Sequence, residues 1–217
     1  VTNFIPVFPL ELVVYPGEPL NLHVFEPRYK QLIGECLKSG KPFGIPTVMD
    51  GKIGEYGTSV NLESVEKTYE NGEMDIRTRG VQVFRILELI PEIPDKLYAG
   101  AIVNHIENDL EGNARLMERI VESIRELHRM LGIERKIRQG DAPLSSFDVA
   151  HHAGLSLKEE YELLGLHREI QRQEYLRRHL RKALPIVAGM EALKEKAKLN
   201  GHFKNLSGFG FGQGKDS

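Results

Sequence analysis

Two adjacent histidines, a lone cysteine, a glycine–lysine pair near the end and an arginine-rich run could do chemistry in this 217-residue chain. On a helix His151 and His152 would point about 100° apart, so they form no i, i+4 chelate. His-Glu-x-x-His is absent, and Asp148 with His152 is the one carboxylate–imidazole pair at that spacing there. A zinc site takes three or four ligands, so the expectation is surface or core histidines and no metal. Cys36 is the only cysteine, which excludes an intrachain disulfide and a thiolate metal cluster. As a nucleophile it would need exposure and a neighbouring histidine; on the apolar face of a helix it reads as a small buried hydrophobe. Gly214-Lys215 fails as a phosphate-binding loop. Phe209 stands where the first glycine belongs, and Asp216 follows the lysine where a magnesium-binding hydroxyl is needed. No Gly-x-Ser-x-Gly elbow occurs, and no feature singles out a serine–lysine pair. Without an activated nucleophile, the chain is expected to be no enzyme and to carry no cofactor.

The run His167–Lys182 is the one concentrated positive patch. Arg168, Arg172 and Tyr175 fall along one helical face, while Arg177, Arg178, Arg181 and Lys182 cluster near its carboxyl end. Such a patch could hold RNA phosphates. Glu169 and Glu174 dilute it, however, and cations near a helix C-terminus complement the helix dipole. A solvated amphipathic face is the simpler reading, with RNA binding through Arg177, Arg178, Arg181 and Lys182 as the alternative function.

The elements that would position these residues change character near residue 110. Residues 1–110 carry 16 acidic and 10 basic side chains, residues 111–217 carry 15 and 19. The first part reads as strands at 4–8, 20–25, 43–49, 57–69, 73–79, 81–90 and 98–106, with Asn71-Gly72 as a hairpin turn and Gly80 as a break. Many short strands with turn signals favour a barrel or sandwich. From Asn113 the period becomes helical. Leu116, Met117, Ile120, Val121, Ile124, Leu127 and Leu131 form a stripe ending at Gly132. Ion pairs at i, i+3 (Arg115–Glu118, Arg119–Glu122, Glu122–Arg125, Glu126–Arg129) are expected on its wet side. Ser145-x-x-Asp148 and Ser156-x-x-Glu159 are capping boxes that start further helices. A stripe from Leu163 through Leu166, Ile170, Leu176 and Leu180 to Leu184 leads to Pro185, which should end or kink it. Ile186, Val187, Met190, Leu193 and Ala197 define a last helix, and 201–217 reads as a disordered Gly-rich tail. No apolar run is long enough to span a bilayer, and no basic-then-hydrophobic leader opens the chain. With a single cysteine, a reducing cytoplasm is the expected compartment.

The most informative stretch is Pro16-Gly-Glu-Pro-Leu-Asn-Leu-His-Val-Phe-Glu-Pro-Arg-Tyr29 and its extension to Ile33. Leu20, Leu22 and Val24 alternate with Asn21 and His23 as in a half-buried strand. Pro27 suits the first helical position, and Tyr29, Leu32, Ile33, Cys36 and Leu37 recur at helical spacing up to Ser39-Gly40. Glu26 and Arg28 read as anchors of the strand-to-helix corner, by pairing or by capping, with the lining of a binding surface as the alternative.

The opening, from Ile5-Pro-Val-Phe-Pro-Leu10 through Val13-Val-Tyr-Pro-Gly17 to Phe25-Glu-Pro-Arg-Tyr29, resembles the amino-terminal substrate-binding domain of Lon-type ATP-dependent proteases. Pro16, Gly17, Leu20, Leu22, Phe25, Glu26, Pro27, Arg28 and Tyr29 carry that signature, mostly as packing residues. Gly57-Thr58, Gly80-Val-Gln-Val-Phe-Arg-Ile86 and the later helix order extend the likeness to residues 3–199. Val83 stands where the family usually has arginine. The resemblance implies an α+β fold, with a PUA-like β-barrel over 1–110 followed by a helical bundle over 111–200. It also implies recognition of unfolded or exposed hydrophobic polypeptide segments, or of a protein partner, without cutting them. Phe8, Tyr15 and Tyr69, aromatic residues near turns, are the expected contact residues.

Overall fold

The computed structural model describes residues 3–137 and 143–206. Six strands, β1 (Asn3–Pro6), β2 (Pro19–Val24), β3 (Phe43–Met49), β4 (Lys52–Thr68), β5 (Met74–Ile90) and β6 (Gly100–His105), form one antiparallel sheet in the order β1-β6-β5-β4-β3, with β2 also on β5. Residues 7–10 continue β1 alongside β3. Phe8 donates its amide to the Gly44 carbonyl at 2.8 Å, and Val48 donates to Leu10 at 2.7 Å. The two edges of the sheet are thereby bridged, which removes them as pairing templates.

β5 corrects the expected break at Gly80. The strand runs unbroken through it: its first half pairs β2 on one edge and its second half pairs β6, while β4 covers the other edge. Val60 faces Gly80 and Ser59 faces Gln82, so Val81 is an extra residue in a bulge. Gly80 serves a close approach: Gly17 donates to its carbonyl and its own amide donates to Glu18, both at 2.9 Å. At the hairpin the Tyr69 amide reaches the Glu73 carbonyl, and of Asn71 and Gly72 only Gly72 takes a positive φ, of 76°. Gly57-Thr58 is likewise a packing device, since a side chain at Gly57 would strike the Pro46 backbone and Phe84, and buried Thr58 donates to the Val14 carbonyl at 2.5 Å.

Helix α1 (Pro27–Ser39) lays Tyr29, Leu32, Ile33 and Cys36 onto the sheet, with Phe8 stacked on Tyr29 at 3.7 Å between ring centroids. Leu37 is left exposed, because the eighth residue along lies about 80° off the stripe. Glu26 pairs with Arg28 and does not cap the helix. Burial pushes the Cys36 thiol up to about 11, so it stays an inert hydrophobe.

Helix α2 (Ala114–Leu131) starts at Asn113, whose side chain accepts from the Leu116 amide, and ends at Gly132 with φ 66°. None of its expected i, i+3 ion pairs forms among the described residues; such pairs gain only tenths of a kcal/mol. Both capping boxes form, opening α3 (Ser146–Val149, followed by one 3₁₀ turn) and α4 (Leu157–Leu164). The apolar stripe does not continue from Leu163: residues 165–168 leave the helix, and Asp109 accepts from Glu169 and donates to His167. Helix α5 (Glu169–Leu206) then runs through Pro185, against expectation. The Arg181 carbonyl loses its amide partner there, but Arg181, Lys182, Pro185 and Ile186 are all exposed, so water can take that carbonyl. Ile186, Met190 and Leu193 are exposed. Of the expected tail, 201–206 is helical and 207–217, including Gly214-Lys215, lies outside the described residues. No helix among the described residues is long and apolar enough to cross a membrane. Val13, Tyr15 and Val83 share one core with α2, α3, α4 and α5, so sheet and helices are packed as a unit.

Candidate functional site

The signature corner Pro16-Gly17 does more than turn the chain. It forms one wall of a groove of ≈ 640 Å³ whose other walls are Leu110 and Gly112, the first turn of α2, Pro143–Asp148 and the start of α5. Met117 and Phe147 floor it, and Leu110 stands 69% exposed on its lip. A second hollow of ≈ 350 Å³ shares Ala114, Met117, Pro143 and Leu144, and extends the groove along α2 past Val121 to Arg125. Glu118 and Glu122 edge this extension and make no ion pair among the described residues. The trough is apolar at its base and acidic along one rim.

Behind the floor lies a buried polar network that the sequence patterns did not reveal. Arg172 is 0% exposed, so it is no part of a surface patch, which corrects its placement with Arg168 and Tyr175. Its guanidinium bonds Glu169 Oε2 at 2.9 Å, Ser146 Oγ at 2.9 Å, the Leu166 carbonyl at 2.8 Å and the Asp109 carbonyl at 3.2 Å, and lies 4.2 Å over the Phe147 ring. Glu169 also accepts from the Ser146 amide at 2.8 Å and from Gln173, whose carbonyl receives the Asn113 amide. One ion pair thus fastens the starts of α2, α3 and α5 to the end of the sheet. The one signal for it was the Glu-x-x-Arg spacing inside a predicted helix.

A second tie crosses from sheet to helices at the same corner. His151 Nδ1 lies 2.6 Å from Glu160 and Nε2 lies 3.1 Å from Glu18, the residue after Gly17. Glu18 also accepts the Tyr15 amide, and the Tyr15 hydroxyl donates to the Glu160 carbonyl. Burial works against charging His151, but hydrogen bonds to Glu160 and then Glu18 outweigh it and raise the ring to about 9. Its folded value lies above the ordinary 6.5, so the stabilisation is complete below pH 6.5 and lost as pH rises through about 9. The denaturation midpoint is therefore expected to fall between pH 6.5 and 9 in the wild type, and a His151→Gln variant should flatten that slope. A slope unchanged by the substitution would count against the clamp.

The expected contact residues separate. Phe8 (6% exposed) and Tyr15 (0%) are core residues: Phe8 packs on Tyr29, and Tyr15 stacks on Phe147 at 5.2 Å. Neither can touch a bound chain without opening the core, because each ring fills the space between two elements. Tyr69 is half-buried at the hairpin, donating to Asp75 at 2.7 Å beneath Lys67. Of the signature residues, Leu20 and Leu22 pack against the α1 core, whereas Phe25, Pro27 and Arg28 are exposed. The arginine cluster is partly neutralised. Arg177 and Arg178 both bond Glu174, at 2.7 and 2.8 Å, which lowers that carboxyl to about 2. Arg181 lines a separate hollow with Arg119, and Lys182 is exposed.

Together the bridged antiparallel sheet and the helices joined to it through a common core define an α+β domain with an apolar trough at their junction. The chain belongs to the ATP-dependent protease La (LON) substrate-binding domain family, whose model matches residues 5–182. The Lon N-terminal domain protein from Xanthomonas campestris is similar at 27% identity and TM-score 0.61, over 80% of this chain and 96% of that one. The N-terminal domain of Mycobacterium avium complex Lon protease shares the fold at TM-score 0.60 and 15% identity, over 84% and 100% of the two chains.

Proposed function

We propose that this protein recognises exposed apolar segments of polypeptides, serving protein quality control as an adaptor or regulator without cutting them. On this reading residues 1–110 are the PUA-like barrel, residues 111–200 the helical unit, and the groove between them the binding surface. The observation that carries it is the trough itself, floored by Met117 and Phe147 and walled by the signature residues Pro16 and Gly17. Weak binding of many sequences needs accessible apolar surface and few fixed polar contacts. The family, a protease's substrate-binding domain, supports polypeptide as the ligand.

Binding of a permanently unfolded test protein, followed by fluorescence anisotropy, tests the reading. The double variant Leu110→Asp, Ala114→Glu alters exposed positions, and an acid in the first turn suits the helix dipole. It should fold normally and bind about tenfold more weakly, because a charge buried under an apolar segment is left unpaired. A well-folded wild type that binds no unfolded chain overturns the proposal. Tyr69→Ala separates the groove from the hairpin: unchanged affinity keeps the site at the groove.

A further inference from the structure

The carboxyl end of α2 and the segment that follows it enclose a hollow of ≈ 340 Å³ lined by Arg125, His128, Arg129, Ile133, Glu134, Arg135, Lys136 and Ile137. Four permanent cations face one carboxylate there. Arg125, Arg129 and Lys136 have no ion-pair or hydrogen-bond partner among the described residues, and the single bond of Arg135 is a long one, 3.5 Å to the His151 carbonyl. The helix dipole accounts for little of this cluster, since its effect fades within the last turn. Arg125 lies before that turn, and Arg135 and Lys136 lie beyond the helix.

His128 lines the floor of the hollow, with the His152 ring behind it. His128 is 8% exposed and sets its Nε2 against the His152 carbonyl at 2.9 Å, so that nitrogen donates. The His152 ring stands 5.6 Å from it, and its buried Nδ1 has no partner among the described residues. Burial first, then the positive charges of Arg135, His128 and His151, hold the His152 ring below its ordinary value. Like charges gathered in a concavity repel one another, and a bound anion relieves that repulsion. Guanidinium forks match the oxygens of a phosphoryl group two at a time.

We propose that the hollow at the carboxyl end of α2 is a binding site for a small, multiply charged phosphoryl anion, held by Arg125, Arg129, Arg135 and Lys136. It meets the extension of the apolar groove only at Arg125 and does not depend on the polypeptide reading. Either an inorganic polyphosphate or the phosphate tail of a nucleotide supplies that chemistry.

Titration calorimetry of the full chain with inorganic triphosphate, inorganic phosphate and ATP tests it. Triphosphate should bind more tightly than phosphate, and both should weaken as salt rises from about 50 to 200 mM. Arg129→Gln with Arg135→Gln, both exposed, should weaken triphosphate at least about tenfold. Arg85→Gln, paired with Glu55 on the sheet, should leave it unchanged. Should the double variant misfold, Arg125→Gln with Lys136→Gln reads out the same loss. Equal affinity for ATP and triphosphate supports an inorganic source, and tighter ATP binding lost in the same variants supports a nucleotide. No detectable binding of any of the three, or binding that both double variants leave intact, overturns the site.

Discussion

Replacing Arg172 with alanine is expected to remove about 3–5 kcal/mol of stability, the largest loss from any single charged residue in the chain. The guanidinium is fully buried and its partner Glu169 is 2% exposed, so the variant leaves a carboxylate inside the protein without its counter-charge. The Ser146 amide and hydroxyl and the Gln173 side chain still bond Glu169, but three neutral donors do not replace a full positive charge. The Leu166 and Asp109 carbonyls lose donors as well. In thermal unfolding this amounts to a fall in Tm on the order of 10 °C for a chain of this length. The double variant Arg172→Met, Glu169→Gln should recover part of the loss, because the cost lies in orphaning the charge more than in losing the pair. If Arg172→Ala unfolds within about 1 kcal/mol of the wild type, the network is not the fastening described.

That residue also marks where the sequence stopped being readable. Local rules found what local physics dictates: the start of α2 near Asn113, both capping boxes, the glycines ending α1 and α2, and the buried face of α1 all depend on residues within a turn or two of one another. Burial of Arg172 depends on Ser146, Leu166 and Asp109, which approach it only when three helix starts meet. A positive residue among other positive residues therefore looked like surface. His151 hid in the same way, because its carboxylates lie at positions 18 and 160. The candidate site was legible in part. Pro16-Gly17 stood out at once, but as a family mark, whereas the groove it walls needs residues from 110 to 173 to exist. Aromatic residues near turns misled for a physical reason: Phe8 and Tyr15 have the large apolar area that a core uses first.

Gly80→Ala should be the most damaging substitution of any small residue, costing about 3 kcal/mol or more, as the sum of a collision and two lost bonds. An added Cβ would run into the Tyr15 carbonyl oxygen, a backbone atom that cannot rotate away. Overpacking of this kind typically costs about 1–3 kcal/mol. Relieving it breaks the two main-chain bonds at 2.9 Å that tie residues 17 and 18 to Gly80, each worth about 1 kcal/mol. Gly17, on the other side of the same contact, separates collision from backbone torsion. It has φ 85°, but a Cβ added there would meet nothing within 4 Å, so Gly17→Ala should cost only the left-handed penalty of about 1–2 kcal/mol. Denaturant unfolding of the two variants should rank them in that order. The groove follows the same logic: Gly17→Ala keeps the wall in place and should bind unfolded polypeptide nearly as the wild type does. In Gly80→Ala the corner that forms the wall is pushed off β5, so its folded fraction should bind several-fold more weakly. Equal stability losses at the two glycines would show that the Pro16–Glu18 corner yields freely, and a corner that yields cannot hold one wall of a binding groove.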